Sequence, residues 1–141
     1  MIWQERLAGL AESLDRLEAY EGLSREDFLA SEERQRAIER YLQITIERCL
    51  DLGRMIIREE HWAEPATNRG VFETLADKGI LPRNDLPDLL NMAGMRNILV
   101  HEYDRLDPEA VHAVLQRHLG DVRRFALAVG AHWDKAHPAG V

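Results

Sequence analysis

The sequence predicts an all-α fold, an up-and-down bundle of four main helices plus a short one. Three observations carry this. Apolar residues recur three or four apart in every long segment, no stretch alternates at the two-residue period of a strand, and the breaks between segments are short and marked by Gly, Pro or a capping residue. In the first segment Leu7, Leu10, Leu14 and Leu17 share one face, with Glu5, Glu12, Asp15, Arg16 and Glu18 between them, and the helix ends near Gly22. Ser24 followed by Asp27 is a variant of the capping box and opens a short turn through Phe28 and Leu29. A new start follows Ser31. From Glu32 to about Glu60 the run Ile38, Tyr41, Leu42, Thr45, Cys49, Leu52 and Ile56 keeps the period, which makes this the longest helix and the backbone of the core.

Residues 61–67 break the pattern at Pro65 and read as a loop from which Trp62 folds back on the core. A short helix from Asn68 to Lys78 carries Val71, Phe72 and Leu75, and Gly79 stops it in a left-handed conformation. After the connector Ile80-Leu81-Pro82, the next helix starts near Asn84 or Asp85. It runs through Leu86, Leu89, Leu90, Met92, Ala93, Ile98 and Leu99 to about His101, with Pro87 tolerated in its first turn. Asp107-Pro108 reads as an N-cap followed by proline at the first helical position. Val111, Val114, Leu115, Leu119, Val122, Phe125 and Val129 then mark one final helix. Residues 132–141 hold no sustained period and are expected to fray, so the chain divides into a single helical domain over 1–131 and a flexible tail.

The size, 141 residues and 16.2 kDa, suits one hydrophobic core. Eighteen Lys and Arg against 25 Asp and Glu leave a net charge of −7, so the surface repels nucleic acid on average and a polyanion must find a local site. The single cysteine, Cys49, excludes an internal disulfide and a cysteine-based zinc site, and points to a reducing compartment. No signal-peptide pattern opens the sequence, and no window approaches the ~18 apolar residues of a membrane span. The expectation is a cytoplasmic protein without membrane partners.

The chemistry concentrates in Arg96-Asn97-Ile98-Leu99-Val100-His101-Glu102-Tyr103, where a guanidinium, an amide, an imidazole and a phenol are interrupted by three aliphatic anchors. Asn97 and His101 stand one helical turn apart on nearly one face. Arg96 lies about 140° around an ideal helix from His101. The two converge on one phosphate either if the helix ends or loosens near His101, or if a second subunit completes the site. Cleaving RNA through its own 2′-hydroxyl needs a base, an acid for the departing 5′-oxygen, and positive charge against the phosphorane. Imidazole serves as acid or base near neutrality, and a guanidinium gives paired hydrogen bonds to phosphate oxygens. One such histidine per chain cannot fill both roles in one step, which is itself a reason to expect a homodimer.

Arg96-x4-His101-x-Tyr103, with polar Asn97 after the Arg, resembles the R-x4-H-x-Y signature of HepT-like toxins of the HEPN superfamily. The stretches Arg40 to Ile57 and Val71 to Pro82 agree with it. The resemblance implies a HEPN-like bundle and a metal-independent, cofactor-free endoribonuclease that acts as a homodimer within a toxin–antitoxin pair. It implies a minimal nucleotidyltransferase (MNT) as antitoxin, which silences the toxin by adenylylating Tyr103. It also implies Arg96 and His101 as the catalytic pair and Asn97 as an auxiliary polar group. Adenylylation would set a phosphate two residues from His101, where it could pair with Arg96 and fill the substrate's space. A second function stays open, that of a non-catalytic helical dimer that binds a nucleotide or a nucleotidyltransferase.

The remaining candidates read as structural. Cys49 fits a small core residue. His112 and His118 are too poorly aligned to ligate one metal together, His61 sits in a loop, and His132 and His137 fall in the fraying end. Trp3, Trp62 and Trp133 are scattered and suit packing better than base stacking. Lys78, Arg83 and Arg105 flank the motif helix and suit solubility better than RNA guidance.

Overall fold

A computed structural model describes residues 2–101, 104 and 106–138. Among the described residues there is no strand. The helices are α1 (Ile2–Glu18), α2 (Arg25–Ala30), α3 (Glu32–Glu59), α4 (Asn68–Asp77), α5 (Leu86–His101), α6 (Pro108–Arg117) and α7 (Leu119–Ala136), with a 3-10 turn at Arg83–Asp85 leading into α5. The all-α fold is as expected. α3 runs through the middle and packs against α1, α4, α5 and α7, while α6 closes one end against α2 and α7. The apolar stripe of α3 supplies Ile38, Leu42, Ile46, Cys49, Leu52, Ile56 and Ile57 to one continuous core, and Phe72 meets Phe125 edge to face across it.

The predicted stops and starts hold locally. Ser24 accepts from the Asp27 amide at 3.0 Å, and Ser31 accepts from the Arg34 amide at 3.1 Å. Asp107 accepts from the Glu109 amide at 2.9 Å ahead of Pro108, and Gly79 takes φ +78°. Trp62 does return to the core, with the Lys78 ammonium 5.0 Å from its ring centroid. Burial pushes the Cys49 thiol far above its usual range, as a core residue requires.

Two boundaries differ from expectation. The final helix is two helices, broken at His118, because α6 and α7 aim separate apolar faces. Val111, Val114 and Leu115 lie on one, and Leu119, Val122, Phe125 and Val129 on the other. The apolar spacing runs through the break unchanged, so periodicity could not reveal it. Nor does helical structure stop near residue 131. α7 continues to Ala136, because Trp133 lies flat on buried Trp3, ring centroids 4.3 Å apart and planes 5° from parallel. His137 stacks on the other face of Trp133 at 4.0 Å and reaches Glu59 at 2.9 Å.

Candidate active site

α5 owes its rigidity to Leu89, Met92, Ala93 and Leu99, which are buried and fix the helix against α3 and α4. Those anchors dictate where the polar residues between them project. Arg96 is half-buried and points to α3, where its Nη2 lies 3.3 Å from Glu47 Oε1. The same Glu47 oxygen accepts from Gln43 Nε2 at 3.2 Å, so an i,i+4 pair on α3 fixes the carboxylate that fixes the guanidinium. Among the described residues, Arg96 Nε and Trp3 Nε1 are the buried side-chain nitrogens with no hydrogen-bond partner, so Arg96 keeps an unused donor.

Around Arg96 is a recess of about 220 Å³ lined by Glu47, Leu50, Asp51, Arg54, Asn68 and Arg96. Arg54 spends its guanidinium on the carbonyl of Pro65 at 3.4 Å and on Asn68 Oδ1 at 3.1 Å, which ties the loop before α4 to α3. Two cations and two carboxylates meet here, so the recess is locally neutral on a chain of net charge −7. Sequence reasoning missed Glu47 and Arg54. Both sit on the charged side of a 28-residue helix rich in Arg and Glu, where nothing in the spacing sets them apart.

Asn97 and His101 are exposed and, among the described residues, have no hydrogen-bond or ion-pair partner. Their shared face is open to solvent. α5 stays regular through His101, so within one chain Arg96 and His101 diverge by the full helical angle of about 140°. The helix ends at His101, so its regular stretch does not itself bring the two together. Tyr103 and Arg105 lie outside the described residues.

The other candidates have settled partners. Arg83 pairs with Asp77 at 2.7 Å, and Lys78 lies over Trp62. His112 Nε2 meets the Leu23 carbonyl at 2.9 Å beside Phe28, holding α6 to the turn after α1. Glu39 is buried beside Arg36, and burial raises its carboxyl above the usual range against the pull of that guanidinium. Among the described residues, the one group of three potential metal ligands is Asp88, His118 and Asp121.

Comparison with known proteins matches residues 10–129 to the Ribonuclease HepT-like family model. The chain is 33% identical over 111 residues to the tRNA nuclease HepT of Aphanizomenon flos-aquae, a match covering 79% of this chain and 76% of that protein. It is 33% identical over 90 residues to the mRNA nuclease HepT of Shewanella oneidensis, covering 64% and 68%. The fold superimposes with a TM-score of 0.83 and 28% identity on a tri-AMPylated Shewanella oneidensis HEPN toxin solved in complex with MNT antitoxin, over 92% of this chain and 97% of that one. A family match over most of the chain, two nuclease relatives and a shared bundle agree with the motif carried by α5: the chain belongs to the Ribonuclease HepT-like family.

Proposed function

We propose that this chain is the toxin of a toxin–antitoxin pair, an endoribonuclease neutralised by an MNT nucleotidyltransferase that adenylylates Tyr103. The observation that carries this reading is a solvent-facing imidazole, His101, on a helix whose guanidinium, Arg96, is clamped by Glu47. Membership of the HepT-like family supports it, as do the nuclease names of both relatives and the tri-AMPylated toxin seen with its MNT partner.

In the proposed reaction His101 removes the 2′-hydroxyl proton, the 2′-oxygen attacks the adjacent phosphorus, and the bond to the 5′-oxygen breaks as that oxygen is protonated. The products are a 2′,3′-cyclic phosphate and a 5′-hydroxyl. Arg96 donates to the phosphate oxygens as charge builds. The acid and base roles fall to the His101 residues of two protomers, which assigns the homodimer a catalytic reason. Imidazole and guanidinium together cover every proton and charge the step creates, so the mechanism uses no metal. Asn97, one turn from His101 and equally exposed, is the polar group placed to hold the ribose or phosphate.

The test is cleavage of RNA in EDTA by the wild-type chain and His101→Ala. The rate is expected to fall by roughly 10² to 10⁴, with no change in the circular dichroism spectrum. Equal cleavage by both removes His101 from the mechanism. The second reading, a helical dimer that binds without cutting, is favoured by the net charge of −7 and by the ion pair that occupies Arg96. It predicts that neither protein cleaves RNA while both still bind the nucleotidyltransferase.

A further inference from the structure

Away from the motif, one group of ionisable side chains joins three elements at a point. Where α6 gives way to α7, His118 Nδ1 faces two carboxylates: Asp121 Oδ2 at 3.0 Å, from the first turn of α7, and Asp88 Oδ2 at 3.7 Å, from the first turn of α5. One donor atom from each of the three residues lies within 4.8 Å of the others. The Asp121 side chain is only 5% exposed.

We propose that His118, Asp88 and Asp121 bind a zinc-class divalent cation that staples the start of α5 to the α6–α7 junction. A tetrahedral site with bonds of about 2.0–2.1 Å has ligand-to-ligand edges of about 3.3–3.4 Å. The two nitrogen-to-oxygen separations bracket that edge, and the two carboxylate oxygens lie within 4.8 Å of each other. A His118–Asp121 hydrogen bond accounts for Asp121, its neighbour one turn along. It does not account for Asp88, which arrives from another helix at the same nitrogen, since one N–H cannot serve two carboxylates well.

Charge points the same way. Asp85 and Asp121 share the guanidinium of Arg124, which contacts Asp121 Oδ1 and holds both Asp85 oxygens at 3.1 and 3.2 Å, while Asp88 faces His118. Arg124 therefore orients Asp121 from outside, as an outer-shell partner orients a ligand, and leaves Oδ2 directed at His118. The imidazole in the set selects a zinc-like ion over magnesium or calcium, which take oxygen donors. A cavity of about 210 Å³ between α5 and α6, lined by Asp88, Asn91, Met92, Met95, Val114 and His118 among others, gives the ion an entry path and room for a water as fourth ligand. The site stands about 20 Å along α5 from His101, so the cation is structural and leaves the cleavage reaction untouched.

The experiment titrates zinc chloride into metal-stripped full-length protein by calorimetry and follows thermal unfolding. One ion per chain is expected, with Tm raised by about 5–10 °C at a hundredfold excess over Kd, and little shift with magnesium. Asp88→Asn, a change at a half-exposed side chain that preserves packing, is expected to weaken binding about tenfold or more, and His118→Gln to abolish it. Absence of zinc binding, an equal response to magnesium, or binding carried unchanged into Asp88→Asn overturns the site. Because the readout is binding and not RNA cleavage, either result leaves the ribonuclease reading to its own test.

Discussion

Arg96 acts from a fixed position. Glu47 holds its Nη2, Gln43 holds Glu47, and the leftover Nε faces inward with nothing to bond. A guanidinium so held gives up little further rotamer freedom when a phosphate arrives. Glu47 is therefore a positioning residue in the proposed site. Glu47→Ala is expected to lower the cleavage rate about 10–100-fold through misplacement of Arg96. Stability should change by no more than about 1 kcal/mol, because the pair is partly exposed. Cleavage rates at saturating RNA, compared with urea unfolding midpoints, separate the two effects; a loss of rate matched by a large loss of stability would make Glu47 merely structural.

At the scale of elements, the close seam is between α3 and α4. A Cβ added at Gly53 would stand 2.6 Å from Val71 Cγ1 and 3.2 Å from Leu75 Cδ1, so the two helices approach as closely as they do only because residue 53 has no side chain. Gly53→Ala is expected to destabilise despite the helix-propensity gain of about 1 kcal/mol, since overpacking costs typically 1–3 kcal/mol. Urea unfolding measures the net. At the far end, the turn at His137 is held through Glu59 and the ring of Trp133, and both the Glu59 hydrogen bond and the Trp133 carbonyl raise the imidazole pKa. The folded value lies above the unfolded one, so the contribution is full below about pH 6.5 and fades as pH rises through the raised folded value. Tryptophan emission should register this loosening as pH rises above about 6.5, and His137→Gln should remove it. The same elements show what the sequence discloses. Caps at Ser24, Ser31 and Asp107 and the stop at Gly79 were legible because each depends on residues within one turn. The break at His118 and the reach of α7 to Ala136 were not, since one depends on which partners each apolar face meets and the other on Trp3, 130 positions away. The motif on α5 could be read, whereas the Glu47 that holds it could not, for the same reason.

On the scale of the whole molecule, a net charge of −7 disfavours general capture of RNA, so the proposed activity depends on a local site and on assembly. If two His101 side chains share one cleft, a dimer with a single His101→Ala subunit is inactive. After subunit exchange with the variant at one part wild type in ten, cleavage should drop to about one hundredth, the square of the fraction, where independent sites would leave about one tenth. Sedimentation at graded concentrations should find the dimer that this requires. The helical course of α5 up to His101, which sets Arg96 and the imidazole on different faces of one chain, then has a consequence for the cell. Under the proposed shared cleft, a lone copy newly released from the ribosome does not cut, and activity begins only when copies become numerous enough to meet, so potency climbs faster than abundance.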